Sequence, residues 1–201
     1  MLEKPAVTQV AIADVIARRW SPRAMNPTKP VSREQLLALL EAARWAPSCY
    51  GDQPWRYLVW DRFGDPVGWQ RAFECLAEGN QVWVKNAALL LLSVAAPNFQ
   101  HNGKLNRFAQ HDTGAASANL ALQATALGLA LHQMGGFDAD QAKSRFNIPT
   151  DHTCMAMIAV GHPAPADVLS DDLRRKEVAS RTRKPLNEMV FNGNWGQDFS
   201  G

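Results

Sequence analysis

Hydrophobic and polar positions along the chain change period several times, and each change marks an element. Val7 to Arg18 carries apolar residues at helical spacing. Ser32 with Gln35 three positions later has the form of a capping box, which predicts a helix running to Trp45. Pro47 and Pro54 bracket an ordered loop; Arg56-Tyr-Leu-Val-Trp60 then reads as a strand and residues 66–78 as a helix. The most apolar run is Ala87 to Ala96, and Leu89 to Val94 within it is predicted to be a central strand covered on both faces. Asn102 to Leu131 is the longest helical stretch. From Gly114 onward it is apolar nearly all round, which predicts a helix buried on every side. Asp138 with Gln141 caps a further helix, and Cys154 to Val160 supplies the last core strand.

These elements predict an α+β fold with a central mixed sheet flanked by helices, in a single domain over 1–201 with 164–201 as an extended C-terminal tail. Small residues on the long helix (Gly114, Ala115, Ala116, Ala118, Ala121) would let another helix approach closely. One domain of this size does not easily surround so much apolar surface, so a homodimer interface is expected there. The tail carries its own aromatics, Phe191 and Trp195, and is expected to dock on something, because free tails are usually polar.

Composition narrows the classes. The chain has 201 residues, 46% hydrophobic and 20% charged, enough for a real core. A net charge of +2 without a basic, aromatic-laced run argues against nucleic acid. The apolar run at 87–96 is about half of what a bilayer crossing needs, and residues 1–20 lack the continuous apolar stretch of a signal peptide. Cys49, Cys75 and Cys154 are odd in number and far apart, which fits a reducing compartment and a cytoplasmic location. The five histidines show no ligand spacing with the cysteines or one another, so no metal site is expected. No Gly-x-Gly-x-x-Gly follows a strand, which argues against a tightly held dinucleotide.

Candidate chemistry gathers in three places: Arg19-Trp-Ser21-Pro-Arg23 near the start, Arg181-Thr-Arg183 near the end, and Pro47-Ser-Cys-Tyr-Gly-Asp-Gln-Pro-Trp55 between them. Arginine presents a planar fork of donors that matches phosphate oxygens. If the two arginine pairs converge, they suit a phosphorylated ligand. Read alone, Arg19 and Arg23 equally suit a helix end, Ser48 and Gln53 suit a turn, and Gly135-Gly136 suits a helix stop.

Taken together and in order, five segments resemble the nitroreductase family of flavin enzymes: Arg18 to Met25, Ala42 to Arg56, Asn80 ahead of the central strand, Asp112 to Leu129 with Met134 to Asp138, and Arg181 to Val190. The resemblance implies FMN held between the two subunits of a homodimer and NADH or NADPH as a transient hydride donor. The acceptor it implies is a nitroaromatic, a quinone or a similar conjugated small molecule, reduced by a ping-pong cycle. It assigns the phosphate and ribityl chain to Arg19, Arg23, Arg181 and Arg183, and a ring or chain contact to Ser21 and Trp20. Asn80 takes the pyrimidine edge, Pro47, Ser48, Cys49 and Gly51 form the segment laid over the partner's cofactor, and the Gly135-Gly136 loop offers an amide toward the flavin N5. These residues bind rather than transfer protons, so no catalytic side chain is named. Five positions depart from the family pattern. Gly51 stands where many members carry asparagine, Trp20 where histidine or arginine is common, Cys49 and Tyr50 where smaller hydroxyl residues are usual, and Gly135 where some members carry glutamate. Specialised members that dehalogenate, desaturate or fragment flavin, and a flavin-binding protein without turnover, remain alternative readings.

Overall fold

The computed structural model describes residues 2–199. Four strands form the central sheet: β1 (Trp55–Asp61), β2 (Leu89–Ala95), β3 (Ala130–Met134) and β4 (Thr153–Gly161), in the order β1-β2-β4-β3. Every neighbouring pair is antiparallel, so the sheet is not the mixed one the sequence suggested. The reason lies in the connections. The chain leaves β2, crosses through a long helix and returns as β3 in the same direction, but one strand's width away; β4 then fills the gap in the opposite sense.

Each face of the sheet is covered, and β2 shows why it is apolar throughout. Leu90, Leu92 and Val94 pack toward α3 (Pro66–Phe73) and α4 (Glu78–Val84), with Trp60, Trp69, Trp83 and Met157. Leu89 and Leu91 pack toward α2 (Arg33–Arg44) and α5 (Ala109–Ala126), with Leu39, Leu120, Ala124, Ile158 and Val160. All seven residues of β2 are buried, as its continuous apolar run predicted. The Ser32–Gln35 capping box is present with both hydrogen bonds, and Asp138 accepts from Gln141 N at the start of α6 (Ala139–Phe146).

Elsewhere the elements are shorter than the sequence suggested, each for a local reason. The first helix, α1, covers only Asp14–Arg18, because residues 7–13 find nothing within the chain to pack against and a short helix depends on such packing. The helix expected over 66–78 breaks after Phe73. There the backbone pairs instead with the 136–138 segment: Ala77 N donates to Gly136 O at 3.0 Å and Asp138 N to Cys75 O at 2.8 Å. The stretch 102–131 is helical only over α5. Turns fixed by Asn102 and Asn106 precede it, Gly128 in the left-handed region ends it, and the residues beyond become β3. The tail is not extended throughout, since Asp171–Val178 forms α7. No helix among the described residues is long and apolar enough to cross a membrane.

Leu91 is fully buried between the sheet and its α2/α5 layer. Leu91→Ala is expected to lower the unfolding free energy by about 3 kcal/mol in urea denaturation, against less than about 0.5 kcal/mol for the exposed Leu105→Ala.

Candidate functional site

The two arginine pairs from opposite ends of the chain meet in space. Arg19 feels the charges of Arg181 and Arg183, and Arg23 and Arg19 both bear on His132 of β3. Burial, with these like charges second, holds the guanidinium groups of Arg19 and Arg181 below their ordinary pKa. Lys4 joins them. Burial lowers its pKa, Glu177 opposes that, and Arg181 and Arg23 add to it. Among the described residues no carboxylate forms an ion pair with Arg19, Arg23, Arg181 or Arg183. Glu177 is the buried acid here, and its oxygens are taken by the backbone amides of Arg23 and Ala24. The site therefore holds a surplus of positive charge under partial desolvation, the condition for binding a phosphate.

Aromatic and amide groups continue the site from the arginines. The Arg23 guanidinium lies 6.0 Å from the Trp83 ring centroid, and Trp83 lies 4.7 Å from the His132 ring. One turn earlier on α4, Asn80 Nδ2 donates to Gly136 O at 2.9 Å. A Cβ on Gly136 would meet Asn80 Nδ2 at 2.8 Å, so glycine is what lets the loop close on the amide. Gly135 has nothing within 4 Å of a Cβ position and presents an open backbone face. The break between α3 and α4 is what aims Asn80 here. Ser21 Oγ receives a contact from Arg19 Nη1 at 3.4 Å, the outer limit of a hydrogen bond. Trp20 lines a cavity of about 210 Å³ with Pro22 and Ala24, and Lys4 Nζ stands 4.6 Å over its ring. Arg181 spends Nη1 on the carbonyls of Lys4 and Ala17, and Arg183 donates to Thr182 O at 2.8 Å.

The Pro47–Gly51 segment is not brought to the arginines within one chain. It sits at the N-terminal end of α5, where Cys49 N donates to Asp112 Oδ2 at 2.9 Å. His111 Nδ1 holds the other oxygen at 3.0 Å. Ser48 Oγ accepts from Gln53 N at 3.0 Å, which makes it a turn-forming hydroxyl. Trp20 and Pro22 instead share their cavity with Thr125 and Gly128, at the far end of α5. Asp112 and Thr125 are separated by about 20 Å along the axis at roughly 1.5 Å per residue. A cavity of about 760 Å³ also belongs to the loop end, walled by Tyr50, Gln53, Arg56, Gln100 and His101. Charge and volume thus lie at opposite ends of one helix. Cys49 is half-buried and all three cysteines are free thiols.

Four participants escaped the sequence reading: Lys4, Trp83, His132 and Glu177. Glu177 lies in the run Asp171-Asp-Leu-Arg-Arg-Lys-Glu177, which reads as a solvated helix face, and nothing in that pattern singles it out. His132 lies just past the stretch 102–131 expected to be helical, in Ala-Leu-His-Gln-Met (130–134), whose apolar and polar residues do not alternate.

His132 Nδ1 donates to Pro22 O at 3.2 Å, and burial, then Arg23, lowers its pKa from 6.5 to about 4. The unfolded chain binds this proton more readily than the folded one. Folding stability is therefore complete above pH 6.5 and falls between pH 6.5 and 4, by up to about 3 kcal/mol from this residue. Thermal melting of His132→Gln is expected to lose less stability than the wild type across that window.

Comparison with known proteins places the chain. The family model described as "Nitroreductase family" matches residues 16–162. A solved structure described as an oxidoreductase containing FMN shares 34% identity and superimposes with a TM-score of 0.88 over 96% of each chain. A Streptomyces coelicolor protein provisionally named an NADH dehydrogenase/NAD(P)H nitroreductase is 26% identical over 79% of this chain and 89% of its own. A Synechocystis protein named DrgA is 29% identical over 74% of this chain and 82% of its own. With most of its length matched and its sheet, helices and glycine loop in the expected order, the chain belongs to the nitroreductase family.

Proposed function

We propose that the protein is an FMN-dependent NAD(P)H oxidoreductase that reduces nitroaromatic, quinone or similar conjugated acceptors. The observation that carries this reading is the surplus of guanidinium charge gathered from both termini, continued by an aromatic, amide and glycine surface of the kind a flat nucleotide needs. Arg19, Arg23 and Arg183 would hold the phosphate, with Arg181 shared between the phosphate and the carbonyls that anchor it. Ser21 would meet the ribityl chain, Asn80 would read the pyrimidine edge, and the open backbone at Gly135 would lie toward N5. Trp20 has its ring under Lys4 and lines the 210 Å³ cavity, so its contact with the cofactor would be through the backbone. FMN, bound by these residues, would supply the redox chemistry between NADH or NADPH and the acceptor. The chain's own part is to bind, orient and exclude water.

The division of charge and volume between the two ends of α5 supports a homodimer. Gly114 and Ala118 lie exposed on one face of that helix, so the face that looked buried on every side is bare in the single chain. Antiparallel pairing of two copies about a twofold axis near Ala118 would bring the partner's Pro47, Ser48, Cys49 and Gly51 to this chain's arginine end. It would also give cover to apolar groups left outside: Val7 is 98% exposed and Trp195 is 92% exposed.

The purified protein is expected to be yellow, and anaerobic NADH or NADPH to bleach it. A flavin that stays oxidised would leave a carrier without turnover, and a colourless protein that takes up no FMN would end the reading. Arg19→Ala and Arg183→Ala are each expected to weaken FMN binding at least tenfold, about 1.4 kcal/mol, measured by flavin retained through gel filtration. Ala118→Arg is expected to shift size-exclusion elution to the monomer and to release flavin with it; loss of neither would move the interface elsewhere.

A further inference from the structure

One buried ionisable group has no part in the cofactor contacts proposed above. Glu177, near the end of α7, is 1% exposed and lies among cations. Its Oε1 accepts from Arg23 N at 2.9 Å and Ala24 N at 3.0 Å, and its Oε2 accepts from Arg23 N at 3.0 Å. Two consecutive amides therefore converge on one carboxylate, an arrangement that backbone adopts around an anion. Its own carbonyl accepts from Lys4 Nζ at 2.8 Å. Four residues on, Arg181 ties the carbonyls of Lys4 and Ala17 together. Three segments remote in sequence are thereby fixed to one another at Glu177.

The segment so fixed is the one that presents the arginines. Trp20, Pro22 and Ala24 line the 210 Å³ cavity, while Arg19 and Arg23 bear on His132. Before Met25 bridges to Pro163, Glu177 supplies the partners for the amides of Arg23 and Ala24. We infer that Glu177 is a positioning residue of the phosphate site: an internal anion that sets the backbone of the Arg19–Arg23 segment so that its guanidinium groups converge. The inference rests on the FMN reading above. On charge alone Glu177 opposes a bound phosphate, because it cancels part of the surrounding positive field. Its two effects on affinity have opposite signs, so removing its charge distinguishes them.

Dilution of purified holoprotein, with flavin fluorescence reporting release, measures the outcome for the wild type, Glu177→Gln, Glu177→Asp and Glu188→Gln. Glu188 is an exposed acid of the same tail, 3.6 Å from Lys184, and serves as the charge-matched control. Glu177→Gln leaves an amide N–H against the N–H of Arg23 and is expected to weaken FMN at least tenfold. Glu177→Asp is expected to recover part of that loss, and Glu188→Gln to stay within about twofold of wild type. Unchanged or tighter FMN binding by Glu177→Gln, with thermal melting showing the variant folded, overturns the inference. Hydrogen exchange in the wild type gives a reading that depends on no variant. The Arg23 and Ala24 amides should be protected with and without flavin, and rapid exchange in the flavin-free protein would equally overturn it. A wild-type protein that holds no flavin, yet protects these amides, refutes the cofactor reading and leaves the backbone clasp standing.

Discussion

Uncompensated positive charge at the junction of the two chain ends is the constraint around which the site is built. Guanidinium groups repel, and they lose hydration when brought together under partial burial; both effects show in the lowered pKa values of Arg19 and Arg181. A structure selected for stability alone would set carboxylates among them. Here the nearby acid is turned to backbone amides, and Arg181 is held by carbonyl oxygens rather than by an acid. What remains is a positive field that carbonyl oxygens and backbone amides do not cancel, the sign that attracts an anion.

The remaining elements place a flat surface beside that charge. β3 carries His132 to the arginines, and the turn that follows sets Gly135 and Gly136 beside α4. The departure from helical geometry between α3 and α4 allows the backbone of Cys75–Ala77 to pair with residues 136–138, and so fixes Asn80 and Trp83 relative to the glycine loop. Local helix propensity yields here to tertiary hydrogen bonding. His132 stays neutral between Trp83 and the arginines, offering a ring surface without adding to the repulsion.

Much of this was legible in the sequence, and the exceptions have physical causes. The β2 strand, the Ser32–Gln35 box and the Asp138 cap could be read because each depends on residues close in sequence. The meeting of Arg19 with Arg181 and Arg183 could be read only through family resemblance, since no periodicity links positions so far apart. Strand pairing was misjudged because the insertion of β4 between β2 and β3 is a matter of topology, not of any strand's own pattern. The sequence could not say which part of α5 the chain itself covers and which it leaves bare at Gly114 and Ala118, because a stripe of glycine and alanine looks the same whether it meets the core or open surface. Glu177 was invisible because a buried acid among charged neighbours is indistinguishable, residue by residue, from a solvated one.

Anion binding and ordering of the chain ends are linked through the same groups. Lys4 bridges the N-terminal segment to α7, and Arg181 bridges it to α1. These contacts hold the termini against the domain while the arginines push one another apart. An anion that neutralises the cluster removes the repulsion but leaves the hydrogen bonds, so its binding energy is also stabilisation of both termini. The reverse follows from linkage: whatever orders the termini, including burial of their exposed apolar groups against a second copy, preorganises the cluster and strengthens its hold on the anion. On the proposed dimer, cofactor retention and assembly would be two readings of one equilibrium, and a change that weakens either would act on the other through Lys4 and Arg181 without touching the ligand.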